Sequence, residues 1–167
     1  MEKSEISALI SYNFWADERI LAMCEKITTG EFTRQFVPNP GWGSLRGILV
    51  HALDTEYGWR LVLQGQTDSA ILEEADFANL LELKARWEME RAAWLAYESD
   101  LNKDGLNRGY GNDPGTSPKV WQTIVHVVNH GTQHRSEAAL ILTGYGRSPG
   151  ELDFDTFLSE HPGHVHN

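Results

Sequence analysis

The sequence predicts an all-α chain, an antiparallel four-helix bundle with a short irregular or hairpin insert before its last helix. Apolar residues recur with a 3.6-residue rhythm in four long stretches. Each stretch is bounded by capping residues, Gly or Pro. At 167 residues the chain is of single-domain length and can bury a core without disulfides. One domain is therefore expected over residues 1–167, with about seven residues at the end as a loose tail.

The first helix, over residues 4–28, carries Ile6, Leu9, Ile10, Ile20, Leu21, Cys24 and Ile27 on its stripe, and Gly30 is expected to end it. Asn13 and Asp17 interrupt that stripe. Either they bond to another helix, or the stripe rotates and both face water. Residues 37–43, Val-Pro-Asn-Pro-Gly-Trp-Gly, read as a loop. Ser44 caps a second helix that runs to about Leu63, closes at Gly65 and carries His51.

A third helix is expected over residues 74–99, where Leu80, Trp87 and Trp94 recur every seven residues, flanked by Phe77, Leu81 and Leu95 in a broad apolar seam. Residues 101–117 are rich in turn formers, which excludes a helix and leaves room for a short hairpin. The fourth helix starts at Ser117 as N-cap with Pro118 at the first helical position, and Gly144 supplies its stop. Beyond it, Pro149 and residues 153–158 form a strapping segment. His161, His164 and His166 belong to the frayed end.

A formal net charge of −10 and a pI near 5.1 argue against nucleic acid and anionic membrane surfaces. No stretch is apolar for long enough to span a bilayer. Cys24 is the single cysteine and makes no internal disulfide; with no leader-like N-terminus, a cytoplasmic location is expected. Cys24 lies in the apolar stripe of the first helix and reads as a buried, inert thiol. The expected partners are a small-molecule substrate and a second copy of the chain in a homodimer.

The fourth helix holds His126, His130 and His134 at successive four-residue steps, stacked along one side with about 40° of drift per step. Imidazoles four residues apart can lean onto one ion. Residues eight apart are separated by about 12 Å and cannot share a shell with bonds of about 2.1 Å. At most two of the three therefore bind one metal, and a third ligand must come from another helix. His51 is the candidate, because Gly47, Thr55 and Gly58 share its side and Gly131 and Ala138 surround His130 and His134, so two small faces can pack with a three-histidine site between them. The glutamate that marks the zinc-peptidase helix is absent, with Val127 and Gly131 after the successive histidines. Three neutral imidazoles leave a divalent ion one open position for water or a thiolate. Asp54 and Glu137, each three residues after a histidine, are the candidates to fix the imidazole tautomers. Arg46, Arg60 and Arg135 are the basic residues near these motifs.

The chain resembles the DinB family, the DinB/YfiT-like metal-dependent four-helix-bundle proteins. Tyr12-Asn-Phe-Trp-Ala-Asp-Glu-Arg-Ile-Leu resembles the family's opening helix, and Ser44 through His51 to Glu56 and Trp59 its second. His126-Val-Val-Asn-His-Gly-Thr-Gln-His-Arg resembles its fourth, and residues 149–158 its closing segment. The resemblance implies His51, His130 and His134 as the ligands of a divalent metal, zinc or nickel, and leaves His126 as a pocket wall. It also implies a thiol-dependent S-transferase or a hydrolase, with a bacillithiol- or mycothiol-type cofactor, or else a non-enzymatic metal or small-ligand binding protein. The chain departs from the family pattern at Asp17, where the family motif has Asn, and at Ser136-Glu137, where it has Gly-Gln.

Overall fold

A computed structural model describes residues 1–36, 41–66, 70–110 and 115–164. Its helices are α1 (Lys3–Cys24), α2 (Thr29–Phe32), α3 (Leu45–Leu63), α4 (Leu80–Asp100), α5 (Lys103–Asn107), α6 (Val120–Gly144) and α7 (Phe154–Glu160), with 3-10 turns at Glu74–Asp76 and Pro162–His164. Among the described residues there is no strand, and no helix is long and apolar enough to cross a membrane. The long helices α1, α3, α4 and α6 make the bundle. His51 meets His130 and His134 while Trp59 meets His126, so α3 and α6 run antiparallel.

The apolar stripes close into two main clusters. One joins Ile20, Cys24, Leu45, Ile48, Leu49, Leu53, Leu83, Trp87, Ala138 and Leu142; the other joins Ile6, Ile10, Phe14, Leu63, Trp94, Val120, Ile124 and Val127. Each fully buried Leu or Ile contributes about 1.5–3 kcal/mol by leaving water. α7 straps the outside of α1, with Phe157 buried beside Tyr12 and Ala16, the Tyr12 hydroxyl donating to the Leu152 carbonyl (2.9 Å), and Trp15 Nε1 donating to Glu160 (3.0 Å).

The second helix has the bounds its caps dictate. Ser44 Oγ accepts from the Gly47 N–H (2.9 Å), and Gly65, at φ +80°, turns the chain out of α3. Elsewhere the punctuation differs from expectation. α1 stops at Cys24, and Gly30 lies inside α2. There Thr28 Oγ1 accepts from the Glu31 N–H (3.2 Å) while the Glu31 carboxylate accepts from the Thr28 N–H (2.7 Å). This reciprocal box starts a new helix where a glycine stop was expected. In α4, Trp87 and Trp94 are buried, but Leu81 and Leu95 are exposed, because each sits one 100° step beyond the row of Leu80, Trp87 and Trp94.

Residues 103–107 are helical despite their turn-forming composition. Asn102 Oδ1 caps the Gly105 N–H (2.8 Å), and Leu106 is fully buried. The expected hairpin is one antiparallel bridge, Gly109 with Lys119; residues 111–114 of that stretch lie outside the described residues. This bridge delays α6 to Val120, whose N–H donates to the Arg108 carbonyl (3.1 Å), so Ser117 and Pro118 precede the helix. Gly144 is the last residue of the helix, but the left-handed turn that closes it comes at Gly146 (φ +72°), where the N–H of Arg147 donates to Leu142 O (2.8 Å) and that of Gly146 to Thr143 O (2.9 Å). The His161 ring stacks on Phe157 at 4.6 Å, and Pro162–His164 form an exposed 3-10 turn. The expected loop at residues 37–40 and the tail at 165–167, including His166, lie outside the described residues.

Candidate metal centre

His51 projects from the middle of α3, and His130 and His134 from successive turns of α6. Their Nε2 atoms converge, with His130 lying 3.2 Å from His51 and 3.2 Å from His134. The three residues form a group whose donor atoms lie within 4.8 Å of one another and which could hold a metal ion. A tetrahedral ion with bonds of about 2.1 Å keeps its donors about 3.4 Å apart, so the donor spacing and the all-imidazole chemistry fit such an ion. His134 is buried, while His51 and His130 are half-buried and open to solvent on one side.

Electrostatics keep two of the rings neutral. Burial first, then the neighbouring imidazoles, lowers His130 to about 4 and pulls His51 below its ordinary value. A ring that is neutral at physiological pH offers its lone pair without first losing a proton. Glu137 Oε2 lies 2.9 Å from His134 Nδ1, the place of an acceptor that fixes Nε2 as the free donor. Asp54 does otherwise. Its Oδ1 accepts the Leu72 N–H at 2.8 Å and so anchors the chain that follows α3.

The small residues serve other purposes than close packing of α3 on α6. At Gly47, a Cβ would stand 2.0 Å from the Trp42 carbonyl and 2.5 Å from Glu74 Oε1; at Gly131 it would stand 2.7 Å from Arg135 Nη1 and 2.8 Å from Asn13 Oδ1. At Gly58 it would meet nothing within 4 Å. Ala138 alone of the four packs as expected, in the apolar core.

Trp42 was not singled out in the sequence. Gly41 and Gly43, both at positive φ, hold it so that its ring stacks on His51 at 3.5 Å and 11°, forming one wall of the site. The only trace in the sequence is a Trp between two glycines just before a helix cap. His126 stands on the opposite side, exposed, with its ring 6.0 Å from His130 and edge-on to Trp59 at 5.4 Å.

Beneath the site lies a buried polar cluster, so Asn13 and Asp17 do bond to other helices. Asn13 Nδ2 donates to Glu56 (2.7 Å) and Asp17 (3.1 Å), and Arg135 Nη1 donates to Asn13 (2.7 Å) and Asp17 (2.9 Å). Burial, and then the Asp17 carboxylate, pushes Glu56 well above the usual carboxylate range; burial also raises Asp17 against the pull of Arg135. The cluster ties α1, α3 and α6 together. Arg60 pairs with Glu90 (2.5 and 2.8 Å) and Arg46 with Glu74 (2.9 Å), so all three arginines near the motifs are engaged internally. Cys24 is buried in the core, where its thiol is pushed up to about 12.

The sequence profile of the DinB family matches residues 1–163. The chain is also similar to a protein of Bacillus subtilis (strain 168) named Protein DinB, 25% identical over 160 residues that cover 90% of this chain and 91% of that one. A match running through all four bundle helices and all three converging histidines makes this chain a member of the DinB family.

Proposed function

We propose that the protein is a divalent-metal-dependent enzyme acting on small molecules, with His51, His130 and His134 holding zinc or nickel, and that its reaction is a hydrolysis or a thiol S-transfer. The observation that carries this reading is the convergence of three imidazole Nε2 atoms with two of the rings open to solvent. When bound, a divalent ion supplies a Lewis acid that favours the deprotonated form of a water or thiol nucleophile. Three protein donors leave a position for that exogenous group.

The residues around the histidines divide the remaining work. Glu137 holds the His134 tautomer, Trp42 shields one face of His51, and His126 lines the approach on the other side. With Arg46, Arg60 and Arg135 all paired internally, none of them is free to receive the carboxylates of a bacillithiol-type cofactor. This favours water, or a thiol carrying little charge, as nucleophile.

The test begins with metal analysis of untagged protein. The metal-loaded protein is then incubated with bacillithiol, mycothiol, glutathione and coenzyme A, each with a chloro-aromatic or epoxide acceptor, and with an ester and amide panel free of thiol. Turnover lost in His51→Ala supports the reading, and the panel that turns over selects the reaction. A full complement of metal with no turnover in any panel would overturn the enzyme and leave a binding protein.

A further inference from the structure

Next to the histidines, on the side of the insert, lies a second open space lined by Trp59 of α3 and by Gln122, Thr123 and His126 of α6. His126 joins the two, its ring 6.0 Å from His130 and 5.4 Å from Trp59. Beyond it, Trp59 and Tyr110 stand nearly perpendicular, 6.4 Å apart, and with Thr116, Ser117, Pro118 and Gln122 they line a space of about 530 Å³. That volume suits a small organic molecule. On the α3 side, the face that carries His51 continues through Thr55 and Gly58, four and seven residues on. A Cβ at Gly58 would meet nothing within 4 Å among the described residues, so this face is open.

The lining defines what fits. Among the described residues no Asp, Glu, Lys or Arg contributes to it, in a chain of net charge −10. Two aromatic walls at right angles offer one ring a face and an edge, an arrangement favourable to a planar guest. At the far end the Thr123 hydroxyl, 3% exposed, donates to the Tyr110 hydroxyl at 2.9 Å. Two hydroxyls in one hydrogen bond leave one hydrogen over, which can be donated to an acceptor on the guest.

We propose that this space is the substrate subsite of the metal centre and takes an uncharged planar ring bearing a hydrogen-bond acceptor. The proposal rests on the metal-enzyme reading and names its substrate class. The ring lies against Trp59 and Tyr110, its acceptor receives the hydroxyl hydrogen of the Thr123–Tyr110 pair, and its reactive group points past His126 toward His130.

Binding of benzamide, benzoate and benzylamine is measured by ligand-observed NMR on the full chain, with and without zinc, for wild type, Gly58→Leu and Trp59→Ala. Benzamide is expected to bind wild type at least tenfold more tightly than either charged analogue. Gly58→Leu, which fills the open face while favouring helix, should weaken it at least tenfold, as should Trp59→Ala. Equal binding of all three probes, no binding of benzamide, or benzamide binding unchanged in Gly58→Leu would overturn the subsite. Zinc stoichiometry on the same samples tests the metal reading separately: a chain that binds benzamide in this space but no zinc keeps the binding space and loses the metal enzyme, and the reverse loses the subsite alone.

Discussion

The buried cluster of Asp17, Glu56 and Arg135 makes Glu56→Gln an informative perturbation. Two ionised carboxylates against one guanidinium would leave a net charge of −1 in the core, with Glu56 Oε2 lacking a partner. One proton on Glu56 makes the cluster neutral and lets that oxygen donate to Asp17. The folded chain thus holds a proton that the unfolded chain releases above the ordinary carboxyl value of 4.5. Folded Glu56 binds more protons than unfolded Glu56, so its contribution to stability falls as pH rises above 4.5, until the folded group itself ionises. The limiting slope is roughly 1 kcal/mol per pH unit for as long as the folded group keeps its proton.

Glutamine mimics the protonated acid. Its carbonyl accepts from Asn13 and its amide donates to Asp17, with no proton to lose. Urea denaturation of metal-free wild type and Glu56→Gln from pH 5 to 8 should show the variant gaining on wild type by that slope. His51 and His130 titrate alike in both proteins and cancel in the difference. At about 2–4 °C per kcal/mol for a chain of this size, the gap is visible in melting temperatures as well. A gap that stays constant across the range, or one that narrows with rising pH, would mean that Glu56 is ionised in the fold and would refute the shared proton.

Asp17→Asn should flatten the same pH dependence, because one carboxylate then faces one guanidinium; Asp17→Asn with Glu56→Gln leaves Arg135 buried without an anion and should cost about 3–5 kcal/mol by urea denaturation. Glu137→Gln should weaken zinc binding about 10–100-fold by calorimetric titration, while Asp54→Asn, which touches the Leu72 N–H and not an imidazole, should leave zinc affinity unchanged. His126→Ala should retain zinc and His134→Ala lose it, as read by metal content per chain. Gly58→Ala should raise stability by about 0.8–1 kcal/mol through helix propensity, whereas Gly131→Ala should lower it by about 1–3 kcal/mol because its Cβ meets Arg135 and Asn13.

Local chemistry was legible in the residues themselves. The Ser44 cap, the Gly65 stop and the periodic rows of α1, α3, α4 and α6 depend on neighbours within a turn, which is the distance over which a sequence states its own geometry. The four-residue steps of His126, His130 and His134 are equally local. Competing local signals produced the misreadings: a Thr28–Glu31 box against Gly30, an Asn102 cap with a buried Leu106 against turn formers, and a Gly146 stop against Gly144.

The tertiary structure alone decided what the long-range contacts do. Gly47, Gly58 and Gly131 are identical in sequence terms, yet one admits a backbone carbonyl, one faces open space and one admits a guanidinium. Trp42 became a wall of the site only when its loop folded back over His51. Arg46, Arg60 and Arg135 could have lined a basic pocket, but each found a carboxylate at least 28 residues away. The physical reason is common to all of these: a glycine's space, an aromatic face or a buried charge acquires its role from atoms that other helices bring to it, and residues a few positions away carry no information about which atoms those are.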